Sequence, residues 1–197
     1  MDIKQKFPQM MDMIHPFVKT CHDMYRNHYV CSYDGNISVR FDNLVLATPT
    51  HLSKGDITAD DLIVVNLKGE KVFGHRAPTS ELKVHLAIYN TNKEARAVVQ
   101  GHPIYTTAIY RAGKYPDSSV LTESQDTFKN IPVVPNREPG TTQLAEDVAK
   151  AMGCVLQACV MEKHGAVTCG KTLEEAYFLL ESLERLAKTE YLIASLK

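Results

Sequence analysis

Three places in the chain carry residue types at spacings that could do chemistry. In Ala97-Val98-Val99-Gln100-Gly101-His102-Pro103, a small apolar run suited to a buried strand ends in an amide and an imidazole two residues apart. A strand sends alternate side chains to opposite faces, so Gln100 and His102 project together, and Pro103, with no N–H to donate, ends the pairing. Side by side at a strand end, they would make half of a metal site. Ala77-Pro78-Thr79-Ser80-Glu81 precedes the helical pattern Leu82, His85, Leu86, Ile88, Tyr89. Thr79 or Ser80 suits the N-cap there, and the free N–H groups of a helix start suit an anion. The third place is Glu162-Lys163-His164-Gly165, between two strand-like runs. Taken singly, each also reads as ordinary structure: a hydrogen-bonded histidine, or a cap with an acidic neighbour.

The elements around these places are legible from periodicity. Met10, Ile14, Phe17, Cys21, Met24 and Tyr25 recur at steps of three or four, which predicts an amphipathic helix over 7–29, kinked or split by Pro16. A turn cluster, Ser32-Tyr33-Asp34-Gly35-Asn36, leads into alternating strands at 37–40 and 43–47, and 62–67 and 70–73 form a second hairpin about Lys68-Gly69. Helices are expected from Thr79 or Ser80 to about Asn92, over 104–110, over 141–152 up to Gly153, and from Thr172 onward. Ile131 to Pro135 reads as an edge strand because of Pro132, and 155–161 and 166–168 as further strands.

Composition narrows the function classes. With 197 residues, 44% hydrophobic and 23% charged, the chain fits one globular domain spanning 1–197. Its 22 basic and 23 acidic residues give no electrostatic footprint for nucleic acid. Residues 1–6 open no apolar leader, and no run approaches the ~18 apolar residues of a membrane span, so a cytoplasmic protein is expected. Five cysteines without a C-x-x-C read as scattered reduced thiols.

Taken together in order, Gly35-Asn36-Ile37-Ser38-Val39-Arg40, Ala47-Thr48-Pro49-Thr50, Pro78-Thr79-Ser80-Glu81, Gln100-Gly101-His102, His164-Gly165 and Gly170-Lys171-Thr172-Leu173-Glu174-Glu175-Ala176 resemble the class II aldolase/adducin family, within it the fuculose-phosphate aldolase type. The resemblance implies a three-layer α/β/α sandwich on a largely antiparallel sheet. It also implies a homotetramer with sites between neighbouring subunits, and a sugar phosphate as substrate. In the family a divalent metal, typically zinc, sits on three histidines, and His102 and His164 match two of them. The third is Gln100 here, a neutral and weaker donor, which would lower zinc affinity and shift preference toward manganese, cobalt or magnesium. Three readings follow: weak metal binding, Glu81 making up the shortfall, or a member that has lost its chemistry.

Glu81 matches the family's acid/base carboxylate, and Gly35, Asn36, Thr50, Thr79 and Ser80 match its phosphate-binding stretches. His51 stands where the aldolase type has glycine, so its imidazole would narrow the pocket or donate to phosphate. The tyrosine serving the aldehyde side in that type has no match, and Tyr105, Tyr110 and Tyr115 are the nearby candidates. The implied activity is reversible aldol cleavage of a short ketose 1-phosphate into dihydroxyacetone phosphate and an aldehyde. The alternatives are a same-fold decarboxylase, dehydratase or epimerase, or a non-catalytic adducin-like scaffold.

Overall fold

The computed structural model describes residues 3–196. In chain order the elements are α1 (Ile3–Lys6), α2 (Met11–Arg26), β1 (Asn36–Phe41), β2 (Leu44–Ala47), β3 (Ile63–Asn66), β4 (Lys71–Phe73), α3 (Leu82–Thr91), β5 (Ala97–Gly101), α4 (Ile104–Arg111), α5 (Thr122–Thr127), β6 (Val133–Val134), α6 (Thr142–Met152), β7 (Ala158–Met161), β8 (Gly165–Gly170) and α7 (Leu173–Ser195). The strands make one eight-stranded sheet in the order β4-β3-β2-β1-β5-β8-β7-β6. Every pairing is antiparallel except that of the edge strand β6 with β7.

Strand alternation builds the layers. Ile37, Val39, Ala97 and Val99 face a core shared with Phe17 and Met24 of α2 and with Leu180 and Leu183 of α7. Val45, Val65, Val98 and Val167 face the opposite core, with Val84 and Ile88 of α3 and with Leu144 and Val148 of α6. The result is an α/β fold with helices on both faces of the sheet. At about 1.5–3 kcal/mol for each fully buried aliphatic side chain, these two cores hold the framework on which the site residues are carried. Among the described residues no helix is long and apolar enough to cross a membrane. The five cysteines are unpaired.

Two expectations about helices change. Pro16 does not split the N-terminal helix, because one helix runs through it from Met11 to Arg26. A proline there removes one backbone hydrogen bond, and the fully apolar face of Ile14, Phe17, Cys21 and Met24 outweighs that loss. Tyr25, expected on that face, is 44% exposed. Nor does α3 start at Thr79 or Ser80. Leu82 N–H closes a turn onto the Thr79 carbonyl at 3.2 Å. The N-cap is Glu81, whose side chain makes no capping bond.

Candidate active site

Sheet register gathers the residues that are far apart in sequence. Asn36 of β1 stands opposite Gln100 of β5, and Gly101 opposite Ala166 of β8, so His164 lies just beyond the same end of the sheet. The loop before α3 is tied to the end of β2 by a Pro49–Pro78 bridge and by Thr79 N–H donating to the Thr48 carbonyl at 3.3 Å. Gly35, Asn36, Thr50, Thr79, Ser80, Glu81, Gln100, His102 and His164 thereby line one pocket of about 190 Å³. Tyr33, Asp34, Pro49 and Pro139 complete its wall. A larger groove of about 580 Å³ along α4 and α7 gathers no comparable set of polar groups.

Within the pocket the His102 and His164 rings lie 5.5 Å apart, centroid to centroid. Gln100 is fully buried, with Nε2 3.4 Å from His164 Nε2 and with Oε1 lacking any partner. Both carboxylate oxygens of Glu81 are likewise buried and unpartnered. The cap position explains this. The backbone turn takes Thr79 Oγ1 as acceptor for Glu81 N–H at 3.3 Å and leaves the carboxylate to the pocket. Burial, together with His164 and Lys54, holds His102 below the ordinary histidine range, while Asp34 pulls the other way. His102 is therefore neutral near pH 7, the form in which an imidazole binds a metal.

Among the described residues no three His, Cys, Asp or Glu side chains converge closely enough to hold an ion by themselves. The donor beside the two imidazoles is an amide. Two imidazoles, an orphaned amide oxygen and an orphaned carboxylate on one pocket fit a divalent cation in their chemistry, since each orphan otherwise carries an uncompensated burial cost.

A family profile for the class II aldolase and adducin N-terminal domain matches residues 16–191. The chain belongs to the class II aldolase and adducin family. Among curated relatives, an L-fuculose phosphate aldolase of Methanococcus maripaludis is 37% identical over 181 residues, covering 92% of this chain and 97% of the relative. A 3-oxo-tetronate 4-phosphate decarboxylase of Escherichia coli is 32% identical over 174 residues, covering 86% and 81%. Among solved structures, an L-fuculose-1-phosphate aldolase from Thermus thermophilus superposes with a TM-score of 0.80 at 28% identity, covering 92% of this chain and 94% of that one.

Some site residues of this class II aldolase family member were not read from sequence. Asp34, taken for a turn residue, has its carboxylate 3.5 Å from His102 Nδ1 and accepts Cys31 N–H at 2.6 Å. Tyr33 lines the pocket, whereas Tyr105, Tyr110 and Tyr115 do not. Their sequence signal was only adjacency to Gly35-Asn36. Lys54, fully buried, donates to the carbonyls of Leu52 at 2.8 Å and Tyr33 at 3.3 Å, tying together the loops that follow α2 and β2. His51 does not line the pocket. Its φ of 54° is in the left-handed region that favours glycine, and its ring packs edge-on to Tyr33 at 6.4 Å. It therefore bears on the pocket mouth through Tyr33.

Gly165 is the point where His164 is held against His102. Its φ is 122°, and a Cβ there would run into the Gly101 carbonyl oxygen and come 3.1 Å from His102 Cδ2. Gly165→Ala is expected to destabilise the fold by about 2 kcal/mol or more, from backbone strain plus backbone overlap. Urea unfolding of the two proteins measures it, and equal midpoints would show that β8 can shift away from β5 without cost.

Proposed function

We propose that this protein catalyses reversible aldol cleavage of a short ketose 1-phosphate, of the L-fuculose 1-phosphate type, into dihydroxyacetone phosphate and an aldehyde. The observation that carries the reading is the unpartnered carboxylate of Glu81 on the same small pocket as His102 and His164. A scaffold has no use for a buried carboxylate that costs stability. A divalent metal, if held by His102, His164 and the Gln100 oxygen, would supply Lewis-acid stabilisation of negative charge on the ketose oxygens. Zinc is the first candidate, and the amide leaves room for manganese, cobalt or magnesium.

The chain's own residues do the rest. Asn36, Thr50, Thr79 and Ser80, with the Gly35 backbone, hold the phosphate and so fix the ketose in one orientation. In cleavage the C3–C4 bond breaks with its electron pair going to C3. The C4 hydroxyl loses its proton to water as the aldehyde forms, and Glu81 delivers one proton to C3, so the cleavage is proton-neutral overall. In the synthetic direction Glu81 removes that proton. The site is proposed to work in a homotetramer with pockets between neighbouring subunits, which light scattering at working concentration checks.

A second reading, decarboxylation of a 3-oxo acid phosphate, is favoured by the 32% identity to the Escherichia coli decarboxylase. It uses the same pocket and differs in the bond broken. Two assays on one metal-loaded sample separate them: coupled detection of dihydroxyacetone phosphate from L-fuculose 1-phosphate, and carbon dioxide release from 3-oxo-tetronate 4-phosphate. Dihydroxyacetone phosphate release without carbon dioxide release supports the aldolase, and the reverse result replaces it. Inorganic phosphate is expected to compete with the substrate. Thr50→Ala should raise KM for the phosphorylated ketose by roughly tenfold to a hundredfold, as loss of one hydrogen bond to a charged group implies, with kcat little changed. Unchanged KM and no competition would remove the phosphate from the reading.

A further inference from the structure

Beneath the pocket floor lies a polar chain buried in an apolar layer. His85 of α3, fully buried, has Nε2 2.5 Å from Asn36 Oδ1 and Nδ1 2.7 Å from Ser38 Oγ. Ser38 Oγ is in turn 2.7 Å from the Tyr89 hydroxyl, which also donates to the Ser38 carbonyl at 3.0 Å. Asn36 is the member of this chain that reaches the pocket. The helical pattern that placed His85 and Tyr89 on one face of α3 made them core residues, and nothing in the reaction as described uses them.

We propose that His85 is a positioning residue for the pocket: it donates from Nε2 to Asn36 Oδ1, so that the Asn36 amide nitrogen, not its oxygen, is presented to the bound anion. The argument follows the donors along the chain. Burial pushes His85 down to about 3, so the ring is neutral and one nitrogen alone carries a proton. With the amide oxygen as its partner, Nε2 must be the protonated nitrogen, and Nδ1 must accept from the Ser38 hydroxyl. The single Tyr89 hydroxyl proton is then shared between Ser38 Oγ and the Ser38 carbonyl oxygen, both within its reach. Reversing the chain turns the Asn36 oxygen, an acceptor, toward the anion, where it repels a phosphate. The direction of a buried hydrogen-bond chain is thus written into the polarity of the binding surface. The identity of the anion rests on the function proposed above. The orientation of the amide does not.

The experiment has two arms, both on the full chain. In the first, 15N spectra of histidine-labelled wild-type protein at neutral pH, with the His85 signal assigned by His85→Gln, are expected to show the Nε2–H tautomer. The Nδ1–H tautomer overturns the proposal. In the second, inorganic phosphate is titrated into wild type, His85→Gln, His85→Leu, Asn36→Ala and the Asn36→Ala/His85→Leu double variant. Glutamine keeps a donor toward Asn36 and is expected to bind phosphate within threefold of wild type, while His85→Leu and Asn36→Ala each bind about tenfold more weakly. The double variant should be no weaker than Asn36→Ala, because His85 acts through the amide. A folded His85→Leu protein with unchanged phosphate affinity, or two losses that multiply, overturns it. Wild-type protein with the Nε2–H tautomer but no phosphate binding keeps the amide orientation and removes the phosphate reading instead.

Discussion

Replacing Glu81 by glutamine is expected to slow aldol cleavage by roughly 10²–10⁴-fold, the range for loss of a positioned proton donor and acceptor. Phosphate affinity should hardly move, because the phosphate is assigned to Asn36, Thr50, Thr79 and Ser80. The same substitution should raise the melting temperature of the protein without metal or substrate. Glu81 buries both carboxylate oxygens with no partner, and a neutral amide of the same shape is less costly to bury. Activity and stability therefore move in opposite directions, which a residue holding up the fold would not do. Rates from coupled dihydroxyacetone phosphate release and calorimetric melts on the same samples make the comparison. A stability loss together with the activity loss would recast Glu81 as structural, and retained exchange of the dihydroxyacetone phosphate C–H proton would assign the proton step elsewhere.

Gln100→His is expected to tighten zinc binding by roughly tenfold to a hundredfold or more, since even changes in groups that merely hydrogen-bond a metal's ligands move affinity by that much. The Gln100 amide, its nitrogen 3.4 Å from His164 Nε2 and its oxygen buried without a partner, is the group an added imidazole would replace, giving the two existing histidines a third. Cleavage rates need not rise with affinity. Stronger donors reduce the Lewis acidity of the ion, and the present pocket can be suited to a harder metal than zinc. Competition with a calibrated chelator gives the two zinc affinities. Equal values would take Gln100 out of the ligand set. An inactive wild type beside an active, zinc-replete Gln100→His protein would mark this chain as one that has given up the family's reaction.

Local patterns by themselves determined the order and type of most elements, the short helices α1 and α5 excepted. Apolar periodicity marked α2, α3, α6 and α7, and turn residues such as Lys68-Gly69 and Gly153 marked where elements end. Such signals depend on neighbours within a turn or two, and they survive without knowledge of the fold. The short motifs around Asn36, Thr79-Ser80-Glu81, Gln100, His102 and His164 were legible as a set only through their family resemblance, each being weak alone. Tertiary structure decided what these residues do to one another. That Asn36 faces Gln100 across β1 and β5 is a matter of register, set by which side chains the two cores accept and not by either strand alone. By sequence Thr79 or Ser80 suits the N-cap, which would put Glu81 inside the helix. Packing of the Thr79 loop against β2 moved it to the cap and left its carboxylate bare. Pro16 looked like a break until the buried face of α2 outweighed one missing bond. His85 looked like any polar residue on an apolar stripe. Only the approach of β1 beneath α3 gave it Asn36 on one nitrogen and Ser38 on the other, because a buried ring must find partners wherever the fold brings them.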